Sequence, residues 1–130
     1  MNRLLALFLA FATLGACAQS TDVSKQTNLN VEEVKSLLET NKEVVLIDVR
    51  TPDEYRQGHL ENSTMIDFYG ETFQNDIAKL DKEKEYVVYC RSGGRSGKAV
   101  NMMQEMGFAK VHNMSGGFLA WNRANFESVK

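Results

Sequence analysis

Cys90 is followed by Arg91-Ser92-Gly93-Gly94-Arg95-Ser96, and these residue types at this spacing can run thiol chemistry on an anion. The stretch before the cysteine, Tyr86-Val87-Val88-Tyr89, is aromatic and β-branched and reads as a buried strand. Past the glycines, Ala99, Met102, Met103 and Met106 recur at helical spacing. The thiol therefore sits where a strand stops and a helix starts. Backbone N–H groups converge in such a turn, and the helix N-terminus adds partial positive charge. Both lower a thiol pKa, and Arg91 and Arg95 add to the effect.

The elements that must position this loop are legible as alternating helical and strand patterns. Asn30-Val31-Glu32-Glu33 has the form of a helix cap, and Val31, Val34, Leu37 and Leu38 give the helix to about Thr40 one apolar face. The run from Glu43 to Val49 is apolar enough to be covered on both faces of a sheet. Thr51 caps a short helix with Pro52 at its first position, and Gly58 stops it. Ser63–Ile66 is a weak strand, and Tyr69–Leu80 reads as a helix with Phe73, Ile77 and Leu80 inward. Lys110–Asn113 is a last short strand, and Gly116-Gly117 opens a final helix with Phe118, Leu119 and Trp121 packing down. The pattern implies a three-layer α/β/α domain with a central, mainly parallel sheet. Ligands of such sheets bind beyond the carboxyl ends of the strands, where both Cys90 and the Asp48–Arg50 corner fall.

Residues 1–16 read as an export signal: a basic start at Arg3 and an unbroken apolar or small run from Leu4 to Leu14, too short to span a bilayer. Leu14-Gly15-Ala16-Cys17 resembles a bacterial lipobox, with Cys17 lipidated as the first mature residue. Ala16-Cys17-Ala18 also fits ordinary cleavage before Gln19; the lipobox is favoured, because a cysteine here is otherwise unneeded. The protein is thus expected to be exported and periplasmic, touching a membrane only through an N-terminal lipid. Residues 17–29 read as a flexible tether, and the folded domain as residues 30–127. Either processing route leaves Cys90 without an internal partner for a disulfide.

Composition removes several classes. A formal net charge of −2 leaves no electrostatic footprint for nucleic acid. Two histidines and one available cysteine make no metal cluster, and no cofactor is implied. At 130 residues, with a single proline and no internal repeat, the chain is one domain, expected to be monomeric. The methionine stripe and Trp121 read as core, and His59 and His112 as structural.

Asp48-Val49-Arg50, Glu54–Leu60, Cys90–Ser96 and Gly116–Trp121 occur in an order and spacing that resemble the rhodanese family over about residues 30–125. One departure is Glu61-Asn62-Ser63, where the family commonly has Pro-Gly-Ala, and this is expected to loosen a structural turn. The resemblance implies a sulfurtransferase that carries sulfane sulfur as a Cys90 persulfide, from thiosulfate or a similar donor to a thiol or other nucleophile. Loop N–H groups from Arg91 to Ser96 would hold the outer sulfur, with Gly93 and Gly94 letting the backbone curl and Arg91 and Arg95 meeting a sulfonate group. Asp48 and Arg50 are supporting candidates, better read as an ion pair holding the strand end than as substrate ligands. A persulfide carrier or binding module with little thiosulfate activity is the alternative. A phosphatase or arsenate reductase on the same fold is disfavoured, since those use five residues between cysteine and arginine, and here there are four.

Overall fold

A computed structural model describes residues 27–130, within which strands and helices alternate: β1 (Thr27–Leu29), α1 (Val31–Thr40), β2 (Val45–Asp48), α2 (Pro52–Gln57), β3 (Thr64–Met65), α3 (Phe73–Ala78), β4 (Glu85–Tyr89), α4 (Gly94–Glu105), β5 (Lys110–Met114) and α5 (Gly117–Arg123). The five strands form one all-parallel sheet in the order β1-β5-β4-β2-β3. Side chains alternate across it. Ile47, Tyr86, Val88, Cys90 and Val111 pack toward Ala99, Val100 and Met103 of α4 and Phe73 and Ile77 of α3. Leu46, Val87, Tyr89 and Met114 pack toward Val31 and Val34 of α1 and Trp121 of α5. The result is the three-layer α/β/α arrangement that the alternating pattern implies.

The helix starts follow their local chemistry. Asn30 Oδ1 accepts from the Glu33 N–H and the Glu33 carboxylate accepts from the Asn30 N–H, each at 2.8 Å. Thr51 and Glu54 repeat this box at α2, with Pro52 in its first turn. Helix α3 is shorter than its apolar spacing suggests. Asp67 explains the delay: its carboxylate accepts from Tyr69 N and its carbonyl from Gly70 N, a turn that competes with helix.

Two expectations are corrected. The last residues of the segment read as tether, 27–29, form the edge strand β1, in parallel register with His112–Met114. Only one of the three is apolar, so no hydrophobic pattern announces the strand; backbone pairing with β5 makes it. The turn at Glu61-Asn62-Ser63 is not loosened. Asn62 takes a φ of 62°, Ser63 N donates to Leu60 O at 3.1 Å, and the Tyr89 hydroxyl accepts from Leu60 N at 3.0 Å. Asparagine tolerates the left-handed conformation that the turn needs.

The corner after β2 is held by a buried pair. Asp48 and Arg50 are 0% and 3% exposed, and Arg50 Nη2 donates to Asp48 Oδ2 at 2.7 Å and to Gly58 O at 2.6 Å. The guanidinium also lies 4.2 Å from the centroid of the Phe118 ring. These contacts engage Nε and Nη2 of Arg50 with structural partners, in line with an ion pair that holds the strand end. Removing one member of such a pair leaves the other charge buried and uncompensated. Asp48→Ala is therefore expected to cost about 3–5 kcal/mol of stability, measured by chemical denaturation.

Candidate active site

The Cys90 sulfur lies at the carboxyl end of β4, and the residue is 1% exposed. Gly93 N donates to Cys90 Sγ at 3.1 Å, and Ser96 Oγ lies 3.3 Å from it. Burial pushes the thiol up; the Ser96 hydroxyl and the backbone N–H groups of Ser96, Gly93 and Ser92 outweigh it, so the net shift is downward. The loop that the sequence marks out thus does converge on the sulfur.

Part of the reason, for the Ser92 amide, lies in the direction of two peptide groups. Phe118 N donates to Cys90 O at 2.8 Å, and Leu119 N to Arg91 O at 3.0 Å. In a trans peptide the N–H points opposite to the C=O, so carbonyls drawn toward α5 leave the following amides facing the other way, toward the loop interior. Gly117 permits this docking. Its φ is +58°, and a Cβ there would lie 2.5 Å from Cys90 O and 2.6 Å from Arg91 O. Gly93, at φ +105°, makes the turn into α4. Gly94 needs no such freedom: it begins α4, and a Cβ on it would meet nothing within 4 Å. Only one of the two loop glycines is required for the curl.

The two arginines part company. Arg95 Nη1 and Nη2 donate to Glu54 Oε2 and Oε1 at 2.8 and 2.9 Å, a bidentate pair. The Arg95 fork, expected to meet a sulfonate group, is engaged by Glu54 in this structure. Arg91 is exposed and forms no ion pair among the described residues.

Glu54 serves two elements at once. Its Oε2 accepts from Thr51 N at 3.0 Å and from Arg95 Nη1, so one carboxylate closes the α2 cap and anchors the loop. The Glu54–Arg95 link was not apparent from sequence, because the two residues lie 41 positions apart.

A second missed residue is Asn113. It is buried, and its Oδ1 lies 2.6 Å from Ser96 Oγ. A signal was present: Val111 faces α4, so alternation puts Asn113 on the same apolar face, where an amide is out of place. The other candidates are structural. His59 Nδ1 lies 2.9 Å from Tyr55 O and its ring stacks on Tyr55. His112 has Nε2 2.8 Å from Glu85 Oε1. Trp121 packs in the α1–α5 layer, with Nε1 donating to Glu127 O at 2.9 Å. No cluster of metal-ligating side chains occurs among the described residues. Cys17 lies outside them.

Comparison with known proteins gives a consistent result. A model of the rhodanese-like domain matches residues 30–124. A thiosulfate sulfurtransferase of Pseudoalteromonas translucida is 32% identical over 107 residues, covering 79% of this chain and 95% of that protein. A sulfurtransferase of Allochromatium vinosum is 30% identical over 95 residues, covering 73% and 87%. Among solved structures, the polysulfide-sulfur transferase homodimer of Wolinella succinogenes superposes with a TM-score of 0.68 at 30% identity, covering 80% of this chain and 78% of that one.

The Glu54–Arg95 pair sets an acid limit on the site. The Arg95 hydrogen bond lowers the Glu54 pKa first, burial opposes it, and the Thr51 bonds lower it further, giving about 2 against an ordinary 4.5. A carboxylate with a depressed folded-state pKa stabilises the fold above its unfolded pKa and loses that contribution as pH falls through the folded value. Stability of the native chain is thus expected to fall between about pH 4.5 and about 2, and Glu54→Gln to flatten that part of the profile in denaturation measured against pH.

Proposed function

The chain belongs to the rhodanese-like family, whose relatives here are sulfurtransferases, and we propose that it moves sulfane sulfur from thiosulfate through a persulfide on Cys90. The observation that carries this reading is the convergence of Gly93 N and Ser96 Oγ on Cys90 Sγ, in a loop that holds no other thiol. The Cys90 thiolate attacks the outer sulfur of thiosulfate. A new S–S bond forms, the S–S bond of thiosulfate breaks, and its electron pair leaves with sulfite. The persulfide's outer sulfur then carries the negative charge. An acceptor thiolate attacks that sulfur, forms its own persulfide and returns Cys90 as thiolate. No external oxidant or reductant is consumed.

Arg91 is read as the group that meets the anionic donor, with Arg95 holding the loop in shape through Glu54. This division also disfavours phosphate-ester chemistry, which needs the loop arginine turned inward to a tetrahedral oxyanion; Arg95 is turned to Glu54 instead. The acceptor is read as a small thiol or another nucleophile.

Thiocyanate formation from thiosulfate and cyanide tests the reaction. Cys90→Ala should abolish it while retaining a cooperative melt, and mass spectrometry of the native chain should find an added sulfur on Cys90 after thiosulfate treatment. Phosphate release from an ester with no thiocyanate formed would sink the reading. Arg91→Ala should raise KM for thiosulfate roughly tenfold with kcat little changed, the loss of one charge-assisted contact.

We also propose that the protein is exported and anchored through a lipid on Cys17. The basis is the sequence of residues 1–17 alone. Metabolic labelling with a fatty acid should mark the native chain and not Cys17→Ala; label retained by that variant would refute the anchor.

A further inference from the structure

The Ser96 hydroxyl has two neighbours and one proton. Its oxygen lies 2.6 Å from Asn113 Oδ1 and 3.3 Å from Cys90 Sγ. The Asn113 amide has its orientation set by the other side: Nδ2 points at Gly93 O, 3.4 Å away, and at Asn28 Oδ1, 3.2 Å away. A backbone carbonyl can only accept, so the amide nitrogen belongs there and Oδ1 belongs against Ser96. An amide oxygen also only accepts. The short contact therefore takes the hydroxyl proton, and a lone pair of Ser96 Oγ faces the sulfur. That suits a thiol, whose S–H donates to Oγ. It does not suit a thiolate, which needs a donor.

We propose that Asn113 is a positioning residue: it claims the single proton of the Ser96 hydroxyl while Cys90 is a thiol, and must give it up before Cys90 acts as a thiolate. On ionisation the thiol proton passes to water, the hydroxyl turns from Asn113 Oδ1 to Sγ, and Oδ1 is left as a buried acceptor without a donor. Asn113 thus opposes ionisation, while the loop N–H groups favour it. Once sulfur is loaded, the charge sits on the outer sulfur and Sγ no longer needs the hydroxyl, which returns to Asn113. The relay therefore favours the two states in which Sγ is uncharged. This consequence for turnover rests on the sulfur-transfer reading; the effect on the free thiol does not.

The charged and titratable groups around Cys90 do not replace the relay. Arg95 on α4 is bound to Glu54 of α2, with Tyr69 against its guanidinium. Asp48 at the end of β2 and Arg50 just beyond it are paired with each other, and the Tyr89 hydroxyl of β4 bonds to Leu60 N and Ser63 Oγ. Arg91 is exposed, Lys98 of α4 is exposed, and His112 of β5 is paired with Glu85. Asn113 is the neighbour that competes for the Ser96 proton.

The test is the pH profile of Cys90 alkylation by iodoacetamide in the full chain. Cys90 is followed by mass spectrometry of its own peptide, so that Cys17 does not interfere. Asn113→Ala removes the competing acceptor, and Asn113→Leu does so with the same branched shape, so that one folded variant suffices; a cooperative melt identifies it. The expected result is an inflection about one pH unit lower, which is about tenfold more thiolate below the native inflection. A residue that only braced the loop through Gly93 O would act the other way: its loss would loosen the amides and raise the inflection. Combined with Ser96→Ala, either Asn113 variant should cause no further shift, because the hydroxyl carries the coupling. An unchanged or raised inflection, or the same shift without Ser96, overturns the proposal. A lowered inflection in a chain that transfers no sulfur would leave the relay standing and remove the proposed function instead.

Discussion

Docking of the α5 N-terminus on the Cys90 loop is the contact on which the site depends. Cys90 and Arg91 give their carbonyl oxygens to Phe118 N and Leu119 N. Because peptide C=O and N–H groups point oppositely, that outward capture turns the following amides inward. The closeness of the two backbones leaves no room for a side chain at position 117: a Cβ there would fall 2.5 Å from Cys90 O. The two-glycine motif near the C-terminus is thus part of the cysteine site, although 26 residues separate Cys90 from Gly117.

The remaining neighbours of the loop bring it charge in paired form. Glu54 neutralises Arg95 while closing the α2 cap, and Asp48 neutralises Arg50 under Phe118. Paired cations hold backbone in place but offer a substrate little free charge. What acts on the sulfur is then one hydroxyl and the backbone, whose N–H groups are fixed donors that need no rearrangement when charge develops. The hydroxyl is the one adjustable member, and Asn113 competes for it.

Much of the architecture could be read without coordinates. Capping boxes at Asn30 and Thr51 are local, within three residues, and both form as their residue types require. The apolar strands Val45–Asp48 and Glu85–Tyr89 are buried on both faces, and continuous apolar runs say so directly. Elements carried by pairing rather than by pattern were less visible. β1 has a single leucine and exists because β5 offers an open edge. The start of α3 was displaced by the side chain of Asp67, a competition of tenths of a kilocalorie that spacing cannot weigh.

The amino-acid sequence by itself determined that Cys90 ends a buried strand, and that a glycine turn and a helix follow it. Those are properties of neighbouring residues, and periodicity, composition and turn chemistry act over a few positions. Only the tertiary structure decided which side chains face the sulfur. Arg95 is near Cys90 in sequence yet turns to Glu54, whereas Asn113 is 23 residues away and sits one hydroxyl from the thiol. The physical reason is that a hydrogen bond or an ion pair is made in space with whichever partner the packed sheet brings within reach. Parallel strands bring together ends that lie far apart along the chain.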